Sequence, residues 1–134
     1  MYSAKVIELF RNPENVGPLK DANGVGKVGD ITNGDILKLY LRISESGLIE
    51  SAKFKALGNP ATIACASALT ILLKGKFIED ALRVTNEDIL EFLGGLPQEK
   101  IYTSVLAEDL IRVAIDNYNE RLEKLEKNAE NDED

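Results

Sequence analysis

The stretch "PATIACASALTILL", residues 60–73, restricts the fold more than any other part of the chain. It is apolar almost all round, with its small residues gathered at the start, and a helix without a polar face has to be buried. Its length favours a helix over a buried strand. Asn59 stands where an N-cap belongs, and Pro60 takes the first helical position, where the absent N–H costs nothing. A chain of 134 residues with 44% hydrophobic content is expected to form one domain with a real core.

The flanking segments supply a sheet and more helices. "DILKLYLRIS" alternates, with Leu37, Leu39, Leu41 and Ile43 on one side and Ile36 on the other, which predicts a half-buried strand. After the turn "ESG", "LIESAKFKAL" returns as the second half of a hairpin, with Ile49, Ala52, Phe54 and Ala56 inward. "GKVGDI" is a short strand among glycine- and asparagine-rich turns. The first helix rests on Val6, Ile7 and Phe10 and stops at Asn12-Pro13, because a residue before proline is pushed out of the helical region.

"FIEDALRV" predicts a short helix. "TNEDILEFLG" predicts another, with Thr85 and Asp88 spaced as a capping box and Gly94-Gly95 as its stop. "LPQEKIY" is an irregular connector. The longest helix follows over 103–127, capped by Thr103 or Ser104. Its stripe of Ile111, Ile115, Tyr118, Leu122 and Leu125 faces the domain or a partner, which leaves a homodimer open. The tail "NAENDED" is acidic and expected to be disordered. There is no internal repeat. The chain is thus a compact α+β domain over 1–122, with 123–134 as helix end and tail.

Composition then narrows the chemistry. The chain has no histidine, no tryptophan and a single cysteine, so no Ser/His/Asp or Cys/His set and no internal disulfide can form. An enzyme is not expected. With 16 Lys and Arg against 23 Asp and Glu, the net charge is -7, which removes the electrostatic basis for nucleic acid and disfavours anionic membranes. The N-terminal "MYSAKVIELFRNPENVG" has no apolar h-region of signal-peptide length and no run elsewhere is long enough to span a bilayer, so a cytoplasmic location is the expectation. "GVGKVG" lacks the phosphate-loop pattern and a following helix.

Three loops have the placement of a site: Thr32 to Asp35, Gly58 to Pro60, and Lys100 to Ser104. Each also has a plain reading. Asn33-Gly34 is a strong turn dipeptide, Asn59-Pro60 is a helix start, and Thr103 or Ser104 is a cap. Asp35 is a carboxylate ligand or a turn cap. Cys65, between two alanines of the apolar helix, is a small core residue whose thiol burial would make inert. Lys100 reads as a solvated charge.

Several segments, in one order and at nearly one spacing, resemble the IscU/NifU-type iron–sulfur cluster scaffold proteins. They are "NPENVG", "GDILKL", "GLIESAKFKALG", "LKGKFIEDAL", "DILEFLGGLP" and "SVLAEDLIRVAI", and the resemblance covers roughly Tyr2 to Tyr118. The resemblance implies a small three-stranded antiparallel sheet packed with several helices and a long C-terminal helix. It also implies that the three loops converge at one end. There the family holds its cluster with three cysteines, an aspartate and often a histidine.

By motif, those cysteine positions are Asn33, Asn59 and Thr103 here, with Tyr102 at the histidine's place; only Asp35 keeps the family residue. Neutral Asn or Thr oxygen does not replace a thiolate on iron or sulfide, and it cannot accept persulfide sulfur. No retained cofactor is therefore expected; an iron–sulfur cluster, iron or zinc is implied by the resemblance alone. The implied partners are a cysteine desulfurase and other assembly proteins. The family's "LPPVK"-like segment, read by an Hsp70-type chaperone, is Leu96, Pro97, Gln98, Glu99 and Lys100 here; the changed second proline and valine weaken that contact.

Three readings follow: a ligand-depleted accessory or regulator acting through protein contacts, an iron- or zinc-binding protein built on Asp35 and other carboxylates, or a binding module recruited to unrelated work.

Overall fold

The computed structural model describes residues 1–30, 32 and 34–132, Asp132 by its backbone alone. Strands β1 (Gly24–Asp30), β2 (Asp35–Ile43) and β3 (Ile49–Leu57) form an antiparallel sheet in that order. Helix α1 (Ala4–Arg11) precedes the sheet; α2 (Pro60–Leu73), α3 (Ile78–Ala81), α4 (Asn86–Leu93) and α5 (Ile101–Asp132) follow it. The α+β class, the three-stranded sheet and the long last helix agree with the sequence reading.

The alternation of β2 sends Leu37, Leu39, Leu41 and Ile43 into the core, where they meet Ile49, Ala52 and Phe54 of β3. Ile49 and Ala52 have opposite parity yet both point inward, because the ladder shifts register at Arg42 and Ile43. Ala56 is only half-buried, near the strand's open end. In α1 the buried residues are Val6 and Leu9; Ile7 and Phe10 face outward, a correction to the expected face. Helix α1 packs on α2, and the i, i+3 pair is the part of it that is buried.

Helix α2 is buried along most of its length, as its composition requires. Its polar residues all find partners. Ser67 Oγ donates to the Glu14 carbonyl (3.0 Å) and accepts from the Glu14 N–H (2.9 Å), while Thr70 Oγ1 accepts from Asn15 Nδ2 (3.1 Å). The Asn15 carbonyl and the Gly17 N–H in turn pair with Phe54 on the edge of β3. The "NPENVG" segment is thereby stitched between α2 and the sheet, its backbone groups satisfied away from regular structure.

The expected capping box of α4 is present, with Thr85 Oγ1 accepting from the Asp88 N–H (3.3 Å) and Asp88 Oδ2 from the Thr85 N–H (2.9 Å). Helix α5 starts earlier than expected. A 3₁₀ turn over Gln98–Lys100 runs directly into Ile101, so Thr103 and Ser104 lie in its first turn rather than at its cap. Gly26 lets α5 lie close on β1, since a Cβ there would sit 2.7 Å from the Ala114 nitrogen.

The apolar stripe of α5 then divides. Ile111, Ile115 and Tyr118 are buried, whereas Leu122 and Leu125 are 40% and 66% exposed. The helix continues to Asp132, across most of the stretch whose composition suggests disorder. Once the packed half has nucleated a helix, alanine and the Glu–Lys spacings of four propagate it. No described helix is long and apolar enough to cross a membrane.

Candidate functional site

Asp35 opens β2 at the open end of the sheet, and only 4% of it is exposed. Both carboxylate oxygens are engaged. Thr62, in the first turn of α2, donates its hydroxyl to Oδ1 at 2.5 Å, and the Tyr102 phenol at the start of α5 donates to Oδ2 at 2.6 Å. One carboxylate thus ties the start of β2 to the starts of two helices. Hydrogen bonds from neutral hydroxyls to an ionised carboxylate are among the stronger kinds, and burial strengthens them further.

Gly58, between β3 and α2, makes this approach possible. A Cβ there would fall 2.5 Å from Thr62 Oγ1 and 2.6 Å from Asp35 Oδ1. Asn59 follows as the N-cap of α2, its Oδ1 accepting from the N–H groups of Ala61 (2.9 Å) and Thr62 (3.3 Å). The asparagine side chain is therefore turned into the helix start, in agreement with its reading as a cap.

The Tyr102 phenol is held above its ordinary pKa, first by its bond to Asp35, then by partial burial and by the carboxylate's charge. The neighbouring Thr103 hydroxyl offsets part of that rise without reaching hydrogen-bond geometry: its Oγ1 is buried with no such partner among the described residues. Ser104 is satisfied locally, donating to the Ile101 carbonyl at 2.6 Å.

The three loops thus converge as far as they are described, through Asp35, Asn59, Tyr102 and Thr103. Asn33 lies outside the described residues. A cleft of about 620 Å³ opens beside the knot, lined by Gly29, Asp30, Asp35, Tyr102, Val105 and Leu106. Thr62 is the participant that sequence reasoning missed. Its signal was a hydroxyl three residues after a cap, which on sequence alone is indistinguishable from a satisfied core threonine.

Cys65 is fully buried in α2, one turn beyond Thr62, and burial pushes its thiol up to about 12. Among the described residues, no three Cys, His, Asp or Glu side chains stand close enough to hold a metal ion. Of the segment before α5, Leu96 and Pro97 are half-buried, Gln98 and Glu99 are exposed, and Lys100 is half-buried just ahead of Tyr102.

A three-stranded antiparallel sheet with its loop end closed by helix starts and a long last helix is a fold shared with solved proteins. A solved NifU-like protein (N-terminal) from Brucella abortus shares it with a TM-score of 0.72 at 15% identity, covering 88% of this chain and 94% of that one. Residues 1–125 match the model of the NifU-like N terminal domain, and the chain belongs to that family. It is 44% identical over 127 residues to the iron-sulfur cluster assembly scaffold protein IscU 1 of Archaeoglobus fulgidus, covering 95% of this chain and 82% of that protein. With the IscU scaffold of Escherichia coli the identity is 43% over 125 residues, covering 91% and 97%.

Proposed function

We propose that this member of the iron–sulfur assembly scaffold family carries no cluster and acts through protein contacts, as an accessory or regulator of assembly, and not as an enzyme. The observation that supports this most is the state of Asp35: both oxygens already accept hydroxyls of the same chain. A cluster carried as cargo needs thiolates. The residues at the loop end are Asn, Thr and Tyr, and the one thiol is buried and held protonated. The donor set does not fit the cargo.

The contact surfaces speak for the other half of the reading. "NPENVG" is held in a defined shape against α2 and β3, with Val16 half exposed on it. A cysteine desulfurase of the assembly machinery is the partner proposed for this end, by family likeness. The Leu96 to Lys100 segment keeps a displayed Gln98 and Glu99 where a chaperone would read it. The second proline and the valine of the family's version are absent.

The test is anaerobic reconstitution with iron and sulfide, then desalting, metal analysis and a visible spectrum, beside a variant carrying Asn33→Cys, Asn59→Cys and Thr103→Cys. The parent chain is expected to keep no iron and no charge-transfer band, while the triple variant gains both. The parent should still bind a desulfurase and compete with a cluster-bearing scaffold for it. Stoichiometric iron in the parent, lost on Asp35→Ala, would overturn the reading in favour of a carboxylate metal site.

A further inference from the structure

The outward face of the sheet takes no part in the knot at its end. Register places Lys27 opposite Lys38 and Lys38 opposite Lys55, one row across all three strands, with Lys53 in the next row opposite Tyr40. Directly opposed side chains in an antiparallel ladder stand about 5 Å apart, where like charges destabilise the sheet. The ion pairs found among the described residues, Lys5–Glu8, Arg42–Asp21 and Arg83–Asp80, include none of these lysines. Lys38 instead lies over the Tyr40 ring at 5.1 Å. In a chain of net charge -7, four lysines outside every ion pair found among the described residues are gathered on one face, with Asp116 and Glu120 beside Lys27 at its β1 edge.

Apolar surface adjoins the row. Ile36 pairs with Leu57 across the next position, and Leu57 is 57% exposed. A shallow cleft of about 270 Å³ runs along Lys27, Ile36, Lys38, Lys55, Ala56 and Leu57. We infer that this face is a docking surface for a carboxylate-rich segment of another protein, whose acidic side chains meet the lysine row while an apolar residue sits on Ile36 and Leu57. Charge complementarity selects the partner, and opposed charges at an interface set both encounter rate and register.

A nucleic acid fits less well. The row is only about 10 Å wide at normal strand spacing, the rest of the acidic chain repels a long polyanion, and an apolar pair at its edge suits a polypeptide. The inference stands whether or not the chain carries a cluster.

The experiment is amide shift mapping of the intact chain with a glutamate-rich peptide containing leucine, at low and at physiological salt, using the parent and the double variant Lys27→Glu/Lys55→Glu. That variant leaves the Lys38–Tyr40 contact in place. Shifts are expected on β1, β2 and β3 at this face, weakening with salt, with affinity falling about tenfold in the variant. The variant should also melt a few degrees higher, since opposed like charges become opposite ones. Should the melting temperature fall instead, Lys27→Gln/Lys55→Gln takes its place: weakened peptide binding at an unchanged melting temperature supports the inference, and undiminished binding overturns it. Peptide shifts that are absent, lie elsewhere or survive the substitutions overturn the inference. So do equal shifts with a single-stranded oligonucleotide or with phosphatidylserine vesicles. Concentration-dependent self-association abolished by the variant would assign the face to a second copy and overturn the heterologous partner.

Discussion

At the loop end, Asp35 gives both carboxylate oxygens to hydroxyls of its own chain. On the outer sheet face, Lys27, Lys53 and Lys55 have no carboxylate in ion-pair range among the described residues. The two regions share β2, which starts in the first and crosses the second. A buried charge must be satisfied internally or it costs several kcal/mol, whereas exposed charges can wait for an outside partner. The loop-end carboxylate is thus satisfied within the chain, and the lysine face, outside the ion pairs found among the described residues, is the one inferred to bind a partner.

Gly58→Ala is the change expected to break the closed end most severely. Its methyl would overlap both Thr62 Oγ1 and Asp35 Oδ1, at a cost of about 3 kcal/mol in denaturant unfolding. An unchanged midpoint would mean that the knot is loose. Thr62→Val is next: it keeps the shape but strips one donor from a buried carboxylate, for a loss of about 2 kcal/mol. If the knot and the open face are independent, neither change alters the lysine-face shifts produced by the acidic peptide.

The third prediction is spectroscopic. Tyr102 should ionise above the ordinary phenol value of about 10, and Asp35→Asn should bring it down. Because the folded-state value is the higher one, the contribution to stability is whole below the unfolded value and is lost as pH climbs through the folded one. Ultraviolet titration of the parent and Tyr102→Phe isolates this group; an ordinary phenol would dissolve the Asp35 contact.

Thr103→Val is expected to have the smallest effect and the opposite sign. The Thr103 hydroxyl is buried without a partner of hydrogen-bond geometry, so an isosteric methyl should stabilise by about 1 kcal/mol. Destabilisation would reveal a bond that the geometry does not contain.

Much of this was legible locally. Asn59 and Pro60 fix the start of α2, Thr85 and Asp88 that of α4, and the alternation from Leu37 to Ile43 assigns the core face of β2, because caps and strand periodicity depend on neighbours in the chain. The start of α5 was missed because a 3₁₀ turn supplied what a capping hydroxyl would have, leaving Thr103 inside the helix. Its stripe was legible as apolar, but sequence could not say that Tyr118 is covered and Leu125 is not.

The sequence by itself determined the elements, the buried helix and the absence of a histidine- or disulfide-based site, all of which follow from composition and short-range spacing. Only the tertiary structure decided which polar groups meet. Asp35 is separated from Thr62 by 27 positions and from Tyr102 by 67, and the lysine row exists only in the register that pairs three strands. Such contacts are set by the packing of whole elements, where a one-residue slip would turn every side chain to the other face.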